Sequence, residues 1–167
     1  PNGIPSLIES KDKPEEEIVE FCKQGFTIAT IGRLSKEKGH ELLIKAFSDF
    51  QNVFADARLL ILGEGPERGK LEGLVNSKNL YGKVMLPGYK EQAWKYLKNC
   101  KIFVLSSVTE GMPITLLEAM QTGIPVIATA VGGIPEIITN EDLGYLAQPG
   151  SPENLCERMI EVRNDMT

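Results

Sequence analysis

Two glutamates, Glu110 and Glu118, stand eight positions apart in the stretch TEGMPITLLEAMQTGIPVIAT (109–129), around a Gly-Met-Pro turn and an apolar helical pattern. Carboxylates so placed could be a reactive acid and base pair, part of a salt-bridged surface, or two separate contacts on one ligand. Glu110 precedes the helix and Glu118 lies within it, so the i, i+4 geometry that pairs side chains on a helix does not join them. They can face one ligand only from different heights. Leu116, Leu117, Ala119 and Met120 flank Glu118, a setting in which a carboxylate needs a partner. Gly111 permits a close backbone approach, and Pro113 suits the first turn of a helix running to about Gln121. The amides of residues 111–115 then point out of the helix start and form an anion site.

A second cluster lies in GRLSKEKGHELLIKAF, where Arg33 follows Gly32 and Lys38 comes five residues later, just before a helix beginning near Gly39. Two cations beside a helix N-terminus suit a phosphate or diphosphate. A solvated Lys-Glu-Lys turn is the commoner fate of a lone basic cluster; flanking glycines and a position after a strand favour the ligand site. The spacing is neither that of a Walker loop nor that of a Gly-x-Gly-x-x-Gly dinucleotide fingerprint. His40 is the only histidine, and a polar helix-start role suits it better than that of a general base. No metal-spaced ligand set and no nucleophile elbow accompany it, so hydrolase and metal-enzyme readings find no support and no metal is expected.

The elements that must position these residues follow from apolar runs suited to buried strands, at 26–32, 57–63, 83–88, 101–107, 125–129 and 144–148. Segments with helical spacing, such as HELLIKAFSDF and ENLCERMIEV, separate them. The alternation predicts an α/β fold: a doubly wound, mostly parallel six-stranded sheet with helices on both faces. Ligands in such sheets sit at the carboxyl ends of the strands. Glycine follows each of the first five strands, in GRLSKEKGH, GEGPE, GYKEQ, SVTEGMP and AVGGIPE, which favours a cleft along that edge. Residues 1–25 read as a connector and a peripheral helix, and residues 26–167 as one domain.

The chain has 167 residues, 42% hydrophobic and 25% charged, enough for one core. Its net charge of -5 argues against a general nucleic-acid or membrane surface. No run is long and apolar enough to span a bilayer and no leader is evident, so a cytoplasmic location is expected. Cys22, Cys100 and Cys156 are far apart in sequence and read as reduced thiols, Cys100 as core. The chain begins at Pro1 and stops within a helical pattern, as a piece of a longer protein would.

Taken in order, PNGI, IGRLSKEKGHELLIKAF, LLILGEGPE, VMLPGY, IFVLSSVTEGMPITLLEAMQTGIPVIAT and VGGIPEII with GYL resemble the carboxyl-terminal, donor-binding domain of the group 1 retaining glycosyltransferases of GT-B fold. The resemblance covers nearly the whole chain. It is most specific where the Glu-x7-Glu stretch joins the Gly-Arg-Leu-x4-Lys-Gly element. It implies a metal-independent enzyme without a cofactor whose substrate is a UDP-, GDP- or ADP-linked sugar, in glycan or cell-surface polysaccharide biosynthesis. By the same resemblance Arg33 and Lys38 hold the diphosphate, Gly32 is a donor-binding position beside them, and Arg33, Lys38 and Glu110 are the catalytic residues. Glu110 meets the transferred sugar with Gly111, Met112, Pro113, Ile114 and Thr115, Glu118 takes the ribose, and Tyr89 lies by the base. PNGI resembles the crossing from an amino-terminal domain that supplies the acceptor site and any membrane contact. A non-catalytic nucleotide-sugar-binding module would use the same residues; a sugar-nucleotide epimerase fits the Glu-x7-Glu stretch less well.

Overall fold

The computed structural model describes residues 14–166, so PNGI and the rest of the first thirteen positions lie outside the described residues. Strands β1 (Phe26–Ile31), β2 (Ala57–Leu62), β3 (Val84–Gly88), β4 (Ile102–Leu105), β5 (Val126–Thr129) and β6 (Tyr145–Ala147) coincide with the six apolar runs to within a residue or two. All of them pair in parallel, in the order β3-β2-β1-β4-β5-β6. Helices α1 (Glu16–Lys23), α2 (His40–Val53), α3 (Arg68–Ser77), α4 (Ile114–Thr122), α5 (Ile134–Ile137) and α6 (Pro152–Asp165) connect or flank them, with single-stretch 3-10 helices at Lys36–Lys38 and Ala93–Asn99.

Strand side chains alternate between the two faces of the sheet, and the burial follows that period of two. Ile28, Leu59, Ile61, Ile102 and Val104 enter the core that holds Phe47 and Phe50 of α2 and Met159 of α6. Their neighbours Ala29, Leu60, Leu62, Phe103 and Leu105 enter the opposite core with Phe21 of α1, Tyr96 and Leu116 of α4. Apolar residues with no polar alternation are what a strand covered on both faces requires.

Local signals explain where the helices begin. Glu16 and Glu17 suit the positive end of α1, and its Ile18, Phe21 and Cys22 share one buried face. The Glu15 amide donates to the Tyr96 hydroxyl at 2.9 Å, fastening the helix start to the body of the domain. At α6 the Ser151 hydroxyl accepts from the Asn154 amide at 3.0 Å, and Pro152 takes the first helical position.

One detail differs from the sequence reading, and two others add to it. Pro113 sits one residue before α4 rather than within its first turn, because the helix starts at Ile114. His40 opens α2 but is 3% exposed, so it belongs to the core and not to the surface. Cys22 and Cys100, distant in sequence, place their sulfurs 3.7 Å apart inside the core; both are free thiols, as is buried Cys156.

Candidate functional site

The strand order reverses direction between β1 and β4, which are neighbours although three crossovers separate them in sequence. At such a switch point the loops leaving the two strands run to opposite sides and open a crevice. Here those loops are 32–39 and 106–113, the two segments singled out by their chemistry.

Lys38 reaches across the crevice from the end of its 3-10 turn, and its Nζ donates to both carboxylate oxygens of Glu110 at 3.1 Å each. The Glu110 side chain is 5% exposed, so the ion pair is largely shielded from water. Ser107 donates a further hydrogen bond, Oγ to Oε2 of Glu110, at 2.7 Å. Gly39, at φ +67, lets the chain turn from the 3-10 helix into α2 where a β-carbon would collide with the Ser106 carbonyl. The Ser106 hydroxyl donates in return to the Gly39 carbonyl at 3.0 Å, and the Val108 amide donates to the Glu37 carbonyl at 2.9 Å. The two loops are therefore stitched together by backbone and hydroxyl contacts below the ion pair.

Beside the pair, a cavity of about 410 Å³ opens over the carboxyl ends of β1, β2 and β3 and is lined by Gly32, Arg33, Glu64, Tyr89, Lys90 and Thr115 among others. That volume is within the range of small-ligand pockets. The side chain of Lys38 passes over Gly32, whose missing β-carbon would lie 3.6 Å from its Cδ, so the ion pair and the cavity adjoin. Arg33 is exposed and, among the described residues, has no ion-pair partner, which leaves its guanidinium free for an anion. Tyr89 is 70% exposed at the rim of that cavity.

The remaining candidates sit on the α4 side. Met112 and Ile114 are exposed, Pro113 is buried, and a β-carbon at Gly111 would meet nothing within 4 Å, so its backbone is open to an approaching group. Glu118 lies half-buried on α4, and among the described residues no hydrogen bond or ion pair engages its carboxylate. The partner that its apolar setting calls for is not supplied by the described residues.

His40 adjoins this region without facing it. Burial, with a smaller contribution from Lys38, pushes its imidazole down to about 4, so it is neutral near pH 7. Its Nδ1 has no hydrogen-bond partner. A second cavity of about 450 Å³ beside it is lined by Lys36, Glu41, Glu67 and Lys70, but Lys70 is already paired with Glu41 at 3.1 Å. None of the expected donor residues lines that cavity. Among the described residues no group of three or more His, Cys, Asp or Glu side chains could hold a metal ion, and no helix is long and apolar enough to cross a membrane.

Sequence reasoning missed two supports of Glu110. Ser107 closes the apolar run 101–107, and nothing in its type or position marks it there as a partner of Glu110. Gly132, at φ +55 after β5, packs so closely on the Glu110 carbonyl that a β-carbon there would collide with it. Only the tertiary structure brings that glycine to the site.

A six-stranded parallel sheet with its crevice at the switch point is a Rossmann-like α/β layer, and the comparisons match it to glycosyltransferases of GT-B fold. The chain belongs to the family described as glycosyl transferases group 1, which matches residues 12–166. It is 33% identical over 140 residues to the putative colanic acid biosynthesis glycosyltransferase WcaL of Escherichia coli, covering 79% of this chain and 34% of that protein. Among solved structures it resembles the carboxyl-terminal domain of the group 1 family protein LpcC from Francisella tularensis, with a TM-score of 0.78 and 26% identity, covering 93% of this chain and 86% of that domain. It also resembles a mutant TarM of S. aureus in complex with Fondaparinux, alpha-GlcNAc-glycerol and UDP, with a TM-score of 0.79 and 26% identity, over 86% of this chain and 30% of that one. The chain spans about a third of the length of the curated relatives it matches, from 30% to 37%.

Proposed function

We propose that this chain is the donor-binding domain of a retaining glycosyltransferase that takes its sugar from a nucleotide diphosphate. The observation that carries the reading is the shielded Lys38–Glu110 pair at the switch point, next to a cavity with a free arginine and a rim tyrosine. Arg33 and Lys38 meet the diphosphate, Glu110 the hydroxyls of the transferred sugar, Glu118 the ribose and Tyr89 the base. The UDP in the TarM complex supports a nucleoside diphosphate as the ligand class. The WcaL relative supports a role in polysaccharide biosynthesis.

Departure of the diphosphate builds negative charge on its oxygens and positive charge on the anomeric carbon. Cations and amides already aimed at that diphosphate stabilise the transition state without reorganising. Arg33 and the amides of Gly111, Met112 and Thr115 serve in that way here, and Lys38 joins them once it turns from Glu110, in a metal-independent reaction without a cofactor; the Ile114 amide is already committed to the Met112 carbonyl at 2.9 Å. In a retaining transfer the acceptor attacks from the face the diphosphate leaves, and Glu110 positions the sugar. The acceptor site, and any contact with the cytoplasmic face of a membrane, belong to an amino-terminal domain in this reading.

Calorimetric titration with UDP-, GDP- and ADP-sugars tests it. Lys38→Ala should weaken binding through the phosphates and Glu118→Ala through the ribose, each by about tenfold or more, as expected for losing a hydrogen bond to a charged group. Unchanged binding in both variants would remove the site assignment. A module that binds without transferring would show the same affinities but no slow hydrolysis of the donor.

A further inference from the structure

Ser107 is fully buried, yet among the described residues its hydroxyl is one of two groups that hold the Glu110 carboxylate. Its own position is set from below: the Thr129 hydroxyl at the end of β5 donates to the Ser107 carbonyl at 2.6 Å. The two carboxylate oxygens are therefore unequal. Oε2 receives Ser107 and Lys38, whereas Oε1 receives Lys38 alone. If Lys38 turns to a diphosphate, Oε2 keeps an internal donor and Oε1 loses its only one. A buried carboxylate oxygen without a donor is costly, so an incoming hydroxyl gains most at Oε1.

We propose that Ser107 is a positioning residue that fixes the orientation of Glu110 and commits Oε2 internally, so that Oε1 is the oxygen offered to a hydroxyl of the transferred sugar. This rests on the reading above in which Glu110 meets the sugar. A serine that only closed the loop would act differently. It would shift the amides of 111–115 along with Glu110, and so disturb the diphosphate and the sugar alike.

The test compares, by calorimetry on the full chain, UDP with UDP-glucose, GDP with GDP-mannose and ADP with ADP-glucose. For whichever pair binds, Ser107→Ala should weaken the sugar-bearing ligand by about tenfold. It should leave the parent diphosphate within about twofold. Added to Glu110→Ala, it should cost nothing more, because the serine acts through that carboxylate. Ser107→Cys, close in volume and a poor donor, should show the same pattern and stands in should the alanine variant fold badly. Equal losses for diphosphate and sugar ligand, no loss for either, or losses that add in the double variant would overturn the proposal. A wild-type chain that bound none of the six ligands would overturn the donor-binding reading itself, and this proposal with it.

Discussion

At the scale of single residues, His40 shows how burial changes a titratable group at a helix start. An unfolded histidine titrates near 6.5, whereas this one is held down to about 4, chiefly by desolvation. The unfolded chain therefore binds the extra proton first. The stability associated with neutral His40 is complete above about pH 6.5 and is lost as the pH falls from there toward 4, by on the order of 3 kcal/mol in all. Urea unfolding at pH 7 and at pH 4.5 should show a larger loss for the wild type than for His40→Gln. Equal losses would show that other groups govern acid unfolding. Residue types alone made Arg33, Lys38, Glu110 and Glu118 legible, since cations near helix starts and a carboxylate among leucines invite a ligand. They could not show that Lys38 and Glu110 face each other, nor that Gly132 braces the second of them, because six elements separate Lys38 from Glu110 and two separate Glu110 from Gly132.

At the scale of elements, legibility followed burial. Strands covered on both faces write themselves as continuous apolar runs, and all six were readable to within a residue or two. The start of α4 was displaced by one residue because proline is compatible both with a helix's first turn and with the position before it. The approach of Cys22 to Cys100 was unreadable, since it depends on how α1 lies against the 3-10 helix at Ala93–Asn99. The contact that best shows one element pinning others is Arg163 of α6. Its guanidinium lies 4.3 Å from the ring centre of Phe26 and 4.2 Å from that of Phe54, and it grips both oxygens of Asp56 at 2.9 and 3.2 Å. The planar fork stacks and pairs at once, which an ammonium cannot do. Arg163→Ala should lower stability by about 1–2 kcal/mol, and Arg163→Lys should recover less than half of that. Full recovery by lysine, read from the melting temperature, would mean that charge alone was the contribution.

At the scale of the whole molecule, switch point, cations, open backbone and rim tyrosine all lie along a single edge of the sheet, which in the proposed reading is one wall of a cleft. A domain of this kind should bind its nucleotide without completing a reaction, because transfer also needs a positioned acceptor and exclusion of water. The isolated 167 residues should therefore melt at a higher temperature with the preferred nucleotide sugar, by mass action, while giving little or no glycosylated product. Robust turnover would show that this chain holds the acceptor as well. The Lys38–Glu110 pair adds a consequence for affinity. In the proposed reading, Glu110 engages the ammonium that a phosphate would need, so it acts as an internal competitor of the diphosphate. Measured affinity is then a net value after that internal rival has been displaced. Glu110→Gln should bind the bare nucleoside diphosphate more tightly than the wild type does, even as it loses its hold on the sugar.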